Sequence, residues 1–481
     1  MVGLDAALAR IAFVGAALAG ALLCFSCGAP GESAVGVPAA GGLRVEATER
    51  PIVVVGAGVA GLTAARALQD AGHRVVILEA RDSIGGRTRT VALGPARVDV
   101  GAAWIHGDEE SPVAEFLEAR GMGFTEHEIW PDLAVDTVEG VRLGWAGLLA
   151  PAAAVEAFAA RSPELLRELG SEASLADALD RHFGEPSALE PLGLRGRFMV
   201  EMLSTATSGA VTDLSLEAMV DGEDEELDGG DHVVDGGYAV LVEALAKGLD
   251  VRLGARVERV ELTDDGVRVV STAGAFEGSH ALVTVPLGVL KSGTIAFEPP
   301  LPERKRGAIE RLGMGSFEKL VYVFDARWWE DDFEAGVALM QGLGVERRHA
   351  LWIDMTAFAG APTLVCLDAG APAARAQATR TADERLADGL ASLSGALEVD
   401  VPTPAAQHAT SWTTDPFSRG SYSYLAVGSS ADDVRALVEP IAGRILFAGE
   451  ATSVLWPSTV HGAFASGLRE ARRIDQSATV R

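Results

Sequence analysis

The pattern of apolar and polar positions first becomes regular at residue 51. Residues 51–80 read PIVVVGAGVAGLTAARALQDAGHRVVILEA, with an apolar run from Ile52 to Val55 and a second from Val75 to Leu78. Between them lie a glycine-rich turn and a segment whose apolar positions recur at helical spacing. Short apolar runs predict buried strands and the spacing between them predicts a helix. The sequence therefore predicts a βαβ unit.

The residues at the turns of this unit indicate what it binds. Gly56 suits a tight turn, Gly58 allows the backbone to approach a pyrophosphate, and Gly61 allows close helix packing. The start of the helix supplies N–H groups and the positive end of a dipole. Glu79 ends the second strand, 18 residues after Gly61, where a carboxylate can bind both ribose hydroxyls. Strand, helix and acidic residue together make a dinucleotide site a stronger prediction than the glycines alone.

The segment ARDSIGGRTRT, residues 80–90, extends this unit. It adds Gly85 and Gly86, and it places Arg81 and Arg87 where they can neutralise a pyrophosphate. A nicotinamide site does not need such an extension. The segment therefore favours a different dinucleotide.

A lysine in a predicted strand raises a separate question. In GMGSFEKLVYVFD, residues 313–325, Lys319 shares a strand face with Phe317, Val321 and Val323. The simplest interpretation is that Lys319 opens the strand and its side chain extends to water. The alternative is a buried ammonium, which is costly unless its charge is paired, lost or used.

The remaining pattern divides the chain further. Residues 111–228, rich in Ala, Leu and Glu at helical spacing, predict a helical lobe, and residues 293–420 predict a mixed, sheet-containing region. Between residues 236 and 290 a helix precedes strands that are broken by a turn at Asp264–Gly266. The acidic run DGEDEELDGGD, residues 221–231, is predicted to be a solvated loop rather than a metal site, because it lacks compact ligand spacing.

Composition limits the classes of function. With 481 residues, 48% of them hydrophobic and 22% charged, the chain is globular and can bury one large core or several ordinary ones. A formal charge of −28 argues against nucleic-acid binding and favours the approach of cationic ligands, although solubility alone is an equally simple reason for it. Three cysteines leave little scope for a disulfide framework.

The N-terminus predicts export. The apolar run of residues 11–25 follows Arg10 and has the length of a secretory signal rather than of a transmembrane helix. Cys27, followed by small and polar residues, resembles a bacterial lipoprotein junction, although Cys24 and Phe25 fit that pattern poorly. We expect an export segment at 1–27, a linker at 28–50, and a periplasmic or envelope-attached protein with possible membrane attachment through its N-terminus. The alternatives are an uncleaved anchor and an overlong gene start.

An acidic strand end followed by GGR resembles the FAD-binding flavoproteins related to glutathione reductase, and more closely the flavin monoamine oxidase family. The resemblance covers nearly all of residues 51–476 and rests on four segments: VDVGAAWIHG (98–107), TVPLGVLKSGTIAFEPPLPERKRGAIERLGMGSFEKLVYVFD (284–325), WTTDPFSRGSYSYLAVGSS (412–430) and FAGEATSVLWPSTVHGAFASGLREARRI (447–474). WIHG, SYSY and TVHGA look most like polyamine oxidases and the catalytic domain of lysine-specific histone demethylases. The long helical insertion and extra helical domain of the demethylases are missing, so we expect a small or medium-sized amine rather than chromatin.

The resemblance implies an α/β fold, with a Rossmann-like, glutathione-reductase-like FAD-binding domain and a discontinuous α+β substrate-binding domain. The FAD-binding domain is expected at residues 51–110, 229–292 and 421–481. The substrate side is expected to comprise the helical lobe, 111–228, and the substrate-binding domain, 293–420.

The resemblance also implies the cofactor contacts. FAD is expected to be non-covalent, because Ser421 stands where monoamine oxidases carry the flavin-bonded cysteine. Val257 is expected to contact the adenine through its backbone, Glu450 to lie near the ribityl and pyrophosphate, and the helix start at Thr459 and Val460 to face the flavin pyrimidine. The full set of expected cofactor-binding residues is Gly56, Gly58, Gly61, Glu79, Arg81, Gly86, Arg87, Ala103, Trp104, Val257, Glu450, Thr459 and Val460.

The catalytic residue implied is Lys319, which in the family holds a water beside flavin N5. A neutral amine would transfer hydride from its adjacent carbon to N5. The imine would hydrolyse to an aldehyde and a shorter amine, and O2 would reoxidise the flavin and release hydrogen peroxide. A lysine next to a flavin and away from water is expected to have a lowered pKa.

Substrate contacts are expected at His106, Tyr422 and Thr459. Many relatives place a second tyrosine opposite the first, where this chain has Thr459, so Trp352 or Trp456 is a candidate for completing the aromatic wall. His106 precedes Asp108, Glu109 and Glu110, which predict an acidic rim.

Two alternatives stay open at this point. The same fold can oxidise a monoamine, an amino acid or another substrate; an amino acid would require a cation such as Arg327 or Arg347 for its carboxylate. Alternatively, the chain is an FAD-binding protein without turnover, against which Glu79, Arg87, Lys319 and Glu450 argue.

Overall fold

The computed structural model describes residues 50–127, 132–137, 140–184, 193, 195–198, 200, 207–222, 229–329, 331–340 and 349–479. The export segment, nearly all of the linker, Arg347 and most of the acidic run lie outside the described residues.

A five-stranded parallel sheet is built from three separate parts of the chain. Its strands, in spatial order, are Val251–Arg252, Val75–Leu78, Ile52–Val55, His280–Val283 and Ile445–Phe447. The predicted strands and the helix between them, Val59–Asp70, are present. The predicted α/β fold with a Rossmann-like domain is confirmed.

Both faces of this sheet are covered, which explains its nearly continuous apolar strands. Ile52 and Val54 face the helices Val59–Asp70 and Val460–Thr479, whereas Val53 and Val55 face the opposite layer. A parallel sheet packed on both sides leaves the carboxyl ends of its strands as the open edge, which is where ligands bind in such folds.

A four-stranded sheet packs beside it. Its strands are Gly274–Gly278, Gly266–Ser271, Val257–Thr263 and Ala296–Glu298. The predicted turn lies between the paired residues Thr263 and Gly266. Ala296–Glu298 belongs to this sheet although it follows residue 293, where the substrate-binding domain was expected to begin, because it pairs in parallel with residues 259–261.

The substrate side is a seven-stranded sheet with helices around it. Its strands are Ala406–Ala409, Phe317–Val323, Thr363–Ala369, Leu351–Asp354, Gly336–Met340, Leu133–Asp136 and Val141–Gly144. The last two strands come from the segment expected to be a helical lobe. They differ from that expectation because Leu133–Asp136 pairs in parallel with residues 337–340, a contact between distant parts of the chain.

Smaller elements join the two sides. Three short sheets pair Trp104–His106, Asp231–Val234 and Phe124–Glu126; Thr90–Leu93 and Ala96–Asp99; and Gly313–Met314 and Ser423–Tyr424. The other helices are Pro112–Glu118, Trp145–Leu169, Leu175–Phe183, Leu216–Asp221, Ala239–Ala246, Leu287–Lys291, Glu303–Arg311, Thr356–Ala359, Gly370–Thr379, Ala382–Leu397 and Ala431–Val438, with a 3-10 turn at Glu450–Thr452. None of the helices in the described part of the chain has the length and apolar character needed to cross a membrane.

Candidate functional site

A cavity of about 1380 Å³ runs from the edge of the parallel sheet to the seven-stranded sheet. It brings together nearly all of the residues predicted from the sequence: Gly56, Gly58, Glu79, Arg81, Gly86, Arg87, Ala103, Trp104, His106, Val257, Lys319, Tyr422, Glu450, Thr459 and Val460. Gly61 does not line it. The predicted cofactor and substrate residues therefore belong to one continuous site.

The three glycines of the first turn are required for different reasons. Gly56 has a φ of +109°, which side chains rarely adopt. A Cβ on Gly61 would lie 2.1 Å from the oxygen of Gly56, so only glycine lets the helix pack here. A Cβ on Gly58 would meet no atom within 4 Å and would project into the space that a pyrophosphate requires. The helix that follows has no capping side chain, so its first N–H groups are available to a ligand.

Glu79 is a buried carboxylate at the end of the second strand. One oxygen accepts a hydrogen bond from the main-chain N–H of Ala57 at 2.7 Å, and the other accepts from that of Arg81 at 2.8 Å. These bonds fix the orientation of the carboxylate and leave acceptor capacity on both oxygens. The arrangement fits the recognition of ribose hydroxyls.

Both predicted pyrophosphate arginines are already paired. Arg81 forms a two-pronged ion pair with Asp415, with both distances 2.8 Å, and Arg87 donates to Glu450 at 2.7 Å. Both arginines line the cavity. Each pairs with a carboxylate more than 330 residues away along the chain, and the sequence did not predict either ion pair. Their contact with a pyrophosphate stays a prediction.

The C-terminal helix also starts at the wall of the cavity. Thr459 caps it, because its Oγ1 accepts from the N–H of Gly462 at 3.0 Å. Val460 is the first of 20 helical residues, and a helix start stabilises nearby negative charge. Glu450 accepts from the Ser423 hydroxyl at 2.6 Å and from Arg87, so its charge is compensated.

Lys319 is buried, with only 4% of its surface exposed. Its Nζ donates to the main-chain oxygen of Asp99 at 3.0 Å and lies 4.7 Å from the centre of the Trp104 ring. Burial lowers the pKa of Lys319 to about 8, while the carboxylate of Asp99 opposes the shift. The interpretation that this side chain extends to water is wrong, because Lys319 is the third residue of its strand and its neighbours enclose it.

Burial also raises the pKa of the Asp99 carboxyl to about 6, although Thr90, Lys319 and the N–H of Tyr238 favour its charged form. Asp99 thus anchors Lys319 in two ways, through its main-chain oxygen and through its charge. The sequence reasoning did not identify it.

The aromatic wall is only partly as expected. Tyr422 lines the cavity 5.7 Å from the ring centre of Phe317, and burial raises the pKa of its hydroxyl. Trp456 also lines the cavity. Trp352 does not, because it is fully buried in the core and stacks on Tyr322, so its proposed place in the wall is wrong.

Ser421 is held by the strand that carries Lys319. Its Oγ accepts from the N–H of Phe317 and donates to the oxygen of the same residue, both at 2.7 Å. The hydroxyl is therefore used structurally, and no thiol stands at this position for a covalent bond to a cofactor.

Asp108, Glu109 and Glu110, which were expected to form an acidic rim, do not line the cavity; the three-stranded sheet provides the acidic rim instead. His106 pairs directly with Asp231 across two strands, and its Nδ1 lies 2.6 Å from the carboxylate. Glu126, on the third strand, also lines the cavity. Asp231 was assigned to a solvated loop from the sequence; its place at the start of an apolar run, DHVV, is the signal that could have identified it.

Three further histidines, His127, His349 and His461, line the cavity and were missed. Burial lowers the pKa of His461 to about 3, with His106 adding to the shift, so His461 is neutral. His127 follows the strand Phe124–Glu126 and has a pKa lowered by burial. None of the three belongs to a pattern that the sequence distinguishes from an ordinary core histidine.

Comparison with known proteins places these observations in a family. The family of flavin-containing amine oxidoreductases matches residues 59–475. Lysine-specific histone demethylase 1 homolog 2 of Arabidopsis thaliana is 35% identical over 449 residues, which cover 89% of this chain and 59% of that protein. Polyamine oxidase 2 of Arabidopsis thaliana is 31% identical over 443 residues, 89% of each chain.

The solved structures give the same fold. A putrescine oxidase variant with redesigned cofactor binding superposes with a TM-score of 0.73 at 23% identity, covering 89% of this chain and 99% of the other. At that identity the likeness establishes the fold alone.

Proposed function

This chain belongs to the family of flavin-containing amine oxidoreductases with FAD as the cofactor, and we propose that it is an oxidase of polyamines. The observation that carries the proposal is the position of Lys319. Its buried ammonium lies in the same cavity as a dinucleotide-binding turn and an acidic rim.

The residues around the dinucleotide-binding turn fit FAD. Gly58 and the uncapped helix start would hold the pyrophosphate, and Glu79 would bind the ribose. The helix start at Val460 would face the part of the flavin that becomes negative on reduction. When bound, FAD supplies the acceptor for a hydride from the carbon next to the amine nitrogen and passes the electrons to O2.

Lys319 sets the charge at the reacting end of the cavity. With a pKa of about 8, its ammonium is mostly protonated at neutral pH. A cation there disfavours a second cation, so an amine in contact with it is bound without its proton. A neutral amine has the lone pair that supports hydride loss from the adjacent carbon, whereas a protonated amine does not.

The rim favours substrates that carry more than one amine. Asp231 and Glu126 place negative charge on the wall of the same cavity, where it would stabilise a second, protonated amine. His106 pairs with Asp231 and links the rim to the cavity. The net charge of −28 raises the local concentration of cationic ligands.

A second candidate substrate is a methylated lysine side chain. The demethylase homologues are 34% to 35% identical to this chain, compared with 31% for polyamine oxidase 2. The chemistry at the reacting carbon is the same, so the distinction depends on what the cavity admits beyond the amine.

The test is reduction of the bound flavin without oxygen. The purified yellow protein is mixed anaerobically with spermine, spermidine, their acetylated forms, a dimethyl-lysine peptide, a monoamine and an amino acid in turn. Rapid bleaching by a polyamine, followed by peroxide when air is admitted, supports the proposal. Bleaching by the peptide alone favours the second candidate. A protein that dithionite reduces but none of these amines does contradicts both.

We propose separately that the protein is exported and attached to the cell envelope through Cys27. Fractionation of cells that express the full chain, with Cys27→Ser as the comparison, tests this. Release of the variant, but not of the unaltered protein, into the soluble periplasmic fraction supports it; cytoplasmic recovery of both contradicts it.

A further inference from the structure

A hydrogen bond between two rings lies behind the buried lysine. The indole Nε1 of Trp104 donates to Nδ1 of His127 at 3.0 Å. The ring of Trp104 is also the ring above which the Lys319 ammonium lies, 4.7 Å from its centre. His127, Trp104 and Lys319 therefore form a chain of contacts, in which a hydrogen bond joins the first two and a cation–π contact joins the last two.

This bond fixes the tautomer of His127. An indole N–H can only donate, so the nitrogen that receives it carries no proton. In a neutral imidazole the single proton is then on Nε2. Burial favours the neutral ring, because it lowers the pKa of His127 even though the carboxylates of Asp231 and Asp354 oppose the shift.

The histidine ring is itself firmly held. Its main-chain N–H donates to the oxygen of Asp231 at 2.8 Å, and its ring centre lies 4.7 Å from that of Phe358. The residue is 9% exposed and lines the cavity. A fixed acceptor on a fixed ring restricts how the Trp104 indole can rotate.

We propose that His127 is a positioning residue for Lys319 and acts through the Trp104 ring. The proposal rests on the proposed amine oxidation, because it concerns the lysine assigned to that chemistry. The attraction between an ammonium and a ring depends on the ammonium lying over the ring face. Rotation of the indole would remove this contact and leave the main-chain oxygen of Asp99 as the hydrogen-bond partner seen for Nζ in the described structure.

Protonation of His127 would remove the hydrogen bond between His127 and Trp104. The doubly protonated ring has no acceptor, so the Trp104 N–H would lose its partner. The charged and titratable groups around His127 are the preceding residue Glu126, Asp231 and His106 on the paired strands, Asp354 before the helix that carries Phe358, and Lys319 beyond Trp104. Because burial disfavours the charged ring, the loss is expected below the usual titration range of histidine.

Two substitutions separate the hydrogen bond from the bulk of the side chain. His127→Gln keeps an acceptor that does not titrate, whereas His127→Leu keeps the apolar bulk and has no acceptor. His408→Leu is the matched control, because His408 is partly buried on the strand Ala406–Ala409 and does not line the cavity.

The first readout is the limiting rate of flavin reduction in the FAD-loaded protein. We expect His127→Leu to slow it on the order of tenfold or more, since small misplacements near reacting atoms have effects of that size. We expect His127→Gln to restore most of the rate and to lose less of it than the unaltered protein as the pH falls, because the titrations of Asp99 and of the amine are common to both proteins. Equal rates for the Leu variant and the His408→Leu control would overturn the proposal.

The second readout does not depend on turnover. The indole N–H resonance of Trp104, assigned by its absence in Trp104→Phe, reports the hydrogen bond in nitrogen-15-labelled, FAD-loaded protein. We expect it to shift in His127→Leu, to stay near its original position in His127→Gln, and to titrate with pH only when His127 is present. An unmoved resonance in His127→Leu overturns the proposal even if no amine proves to be a substrate, so the failure of the proposed function remains distinguishable.

Discussion

The ammonium of Lys319 lies 3.0 Å from the main-chain oxygen of Asp99, although 220 residues separate the two along the chain. The contact joins the seven-stranded sheet to the strand pair that follows the cofactor-binding turn. It places a cation with a lowered pKa on the wall of the cavity.

Replacing Lys319 is expected to slow the reaction of the flavin without preventing FAD from binding. Methionine has a similar shape and no charge, so Lys319→Met is expected to keep FAD bound. We expect flavin reduction or reoxidation to slow by on the order of 10²-fold, the scale of lost proton-transfer or charge effects. Stopped-flow absorbance measures both steps. Lys247→Met, at an exposed position, is the control, and two unchanged rates in the Lys319 variant would rule out the assigned role.

Substitutions of two glycines in the first turn are expected to have different effects, one on folding stability and the other on FAD affinity. Gly61→Ala would place a Cβ 2.1 Å from the oxygen of Gly56, and relief of such crowding costs about 1–3 kcal/mol of unfolding free energy. Gly58→Ala meets no atom within 4 Å, so stability without FAD is expected to change by less than about 0.5 kcal/mol. Its FAD affinity is expected to fall at least about tenfold, or about 1.4 kcal/mol. Denaturation and FAD titration measure the two effects, and equal stability losses would contradict the distinction.

A second buried lysine predicts how stability depends on pH. Lys305 is 1% exposed, donates to the main-chain oxygens of Ala436 and Leu437, and has a pKa lowered by burial to about 8. The unfolded chain keeps this proton until about pH 10.4. Between these values the unfolded state binds more protons, so stability rises with pH by about 1.4 kcal/mol per pH unit from this group.

Lys305→Met is expected to remove that contribution to the slope. Denaturant unfolding at several pH values between 8 and 10 measures it, with Lys247→Met again as the exposed control. Identical slopes for Lys305→Met and the unaltered protein would mean that Lys305 stays protonated in the folded state throughout this range.

The rim predicts a selective loss of affinity for polyamines. Asp231→Asn removes the negative partner of His106, which lies partly exposed at the cavity mouth. We expect kcat/KM for spermidine to fall about fivefold, which corresponds to about 1 kcal/mol, the size of an exposed ion-pair interaction. We expect kcat/KM for a monoamine to change less. Asp235→Asn is the control, because its carboxylate binds Thr125 and does not line the cavity. Equal losses for both amines would argue against a distal ammonium at this rim.

Local pattern predicted the cofactor half of the molecule well. The strand runs from Ile52 to Val55 and from Val75 to Leu78 match the structure, because buried strands and the helix between them are determined by neighbouring residues. The strand pairing of Leu133–Asp136, by contrast, was missed, since its partner strand lies about 200 residues away in the chain.

The sequence by itself determined the βαβ unit and the glycines that a pyrophosphate needs, and it named most of the predicted site residues that the structure places on one cavity wall. Only the tertiary structure decided that Lys319 is buried against Asp99 and Trp104, that Trp352 lies in the core, and that His127 fixes the Trp104 ring. The physical reason is that periodicity records which face of an element is apolar. It does not record which distant polar groups meet that face, and those contacts determine the charge and the orientation of the side chains in the cavity.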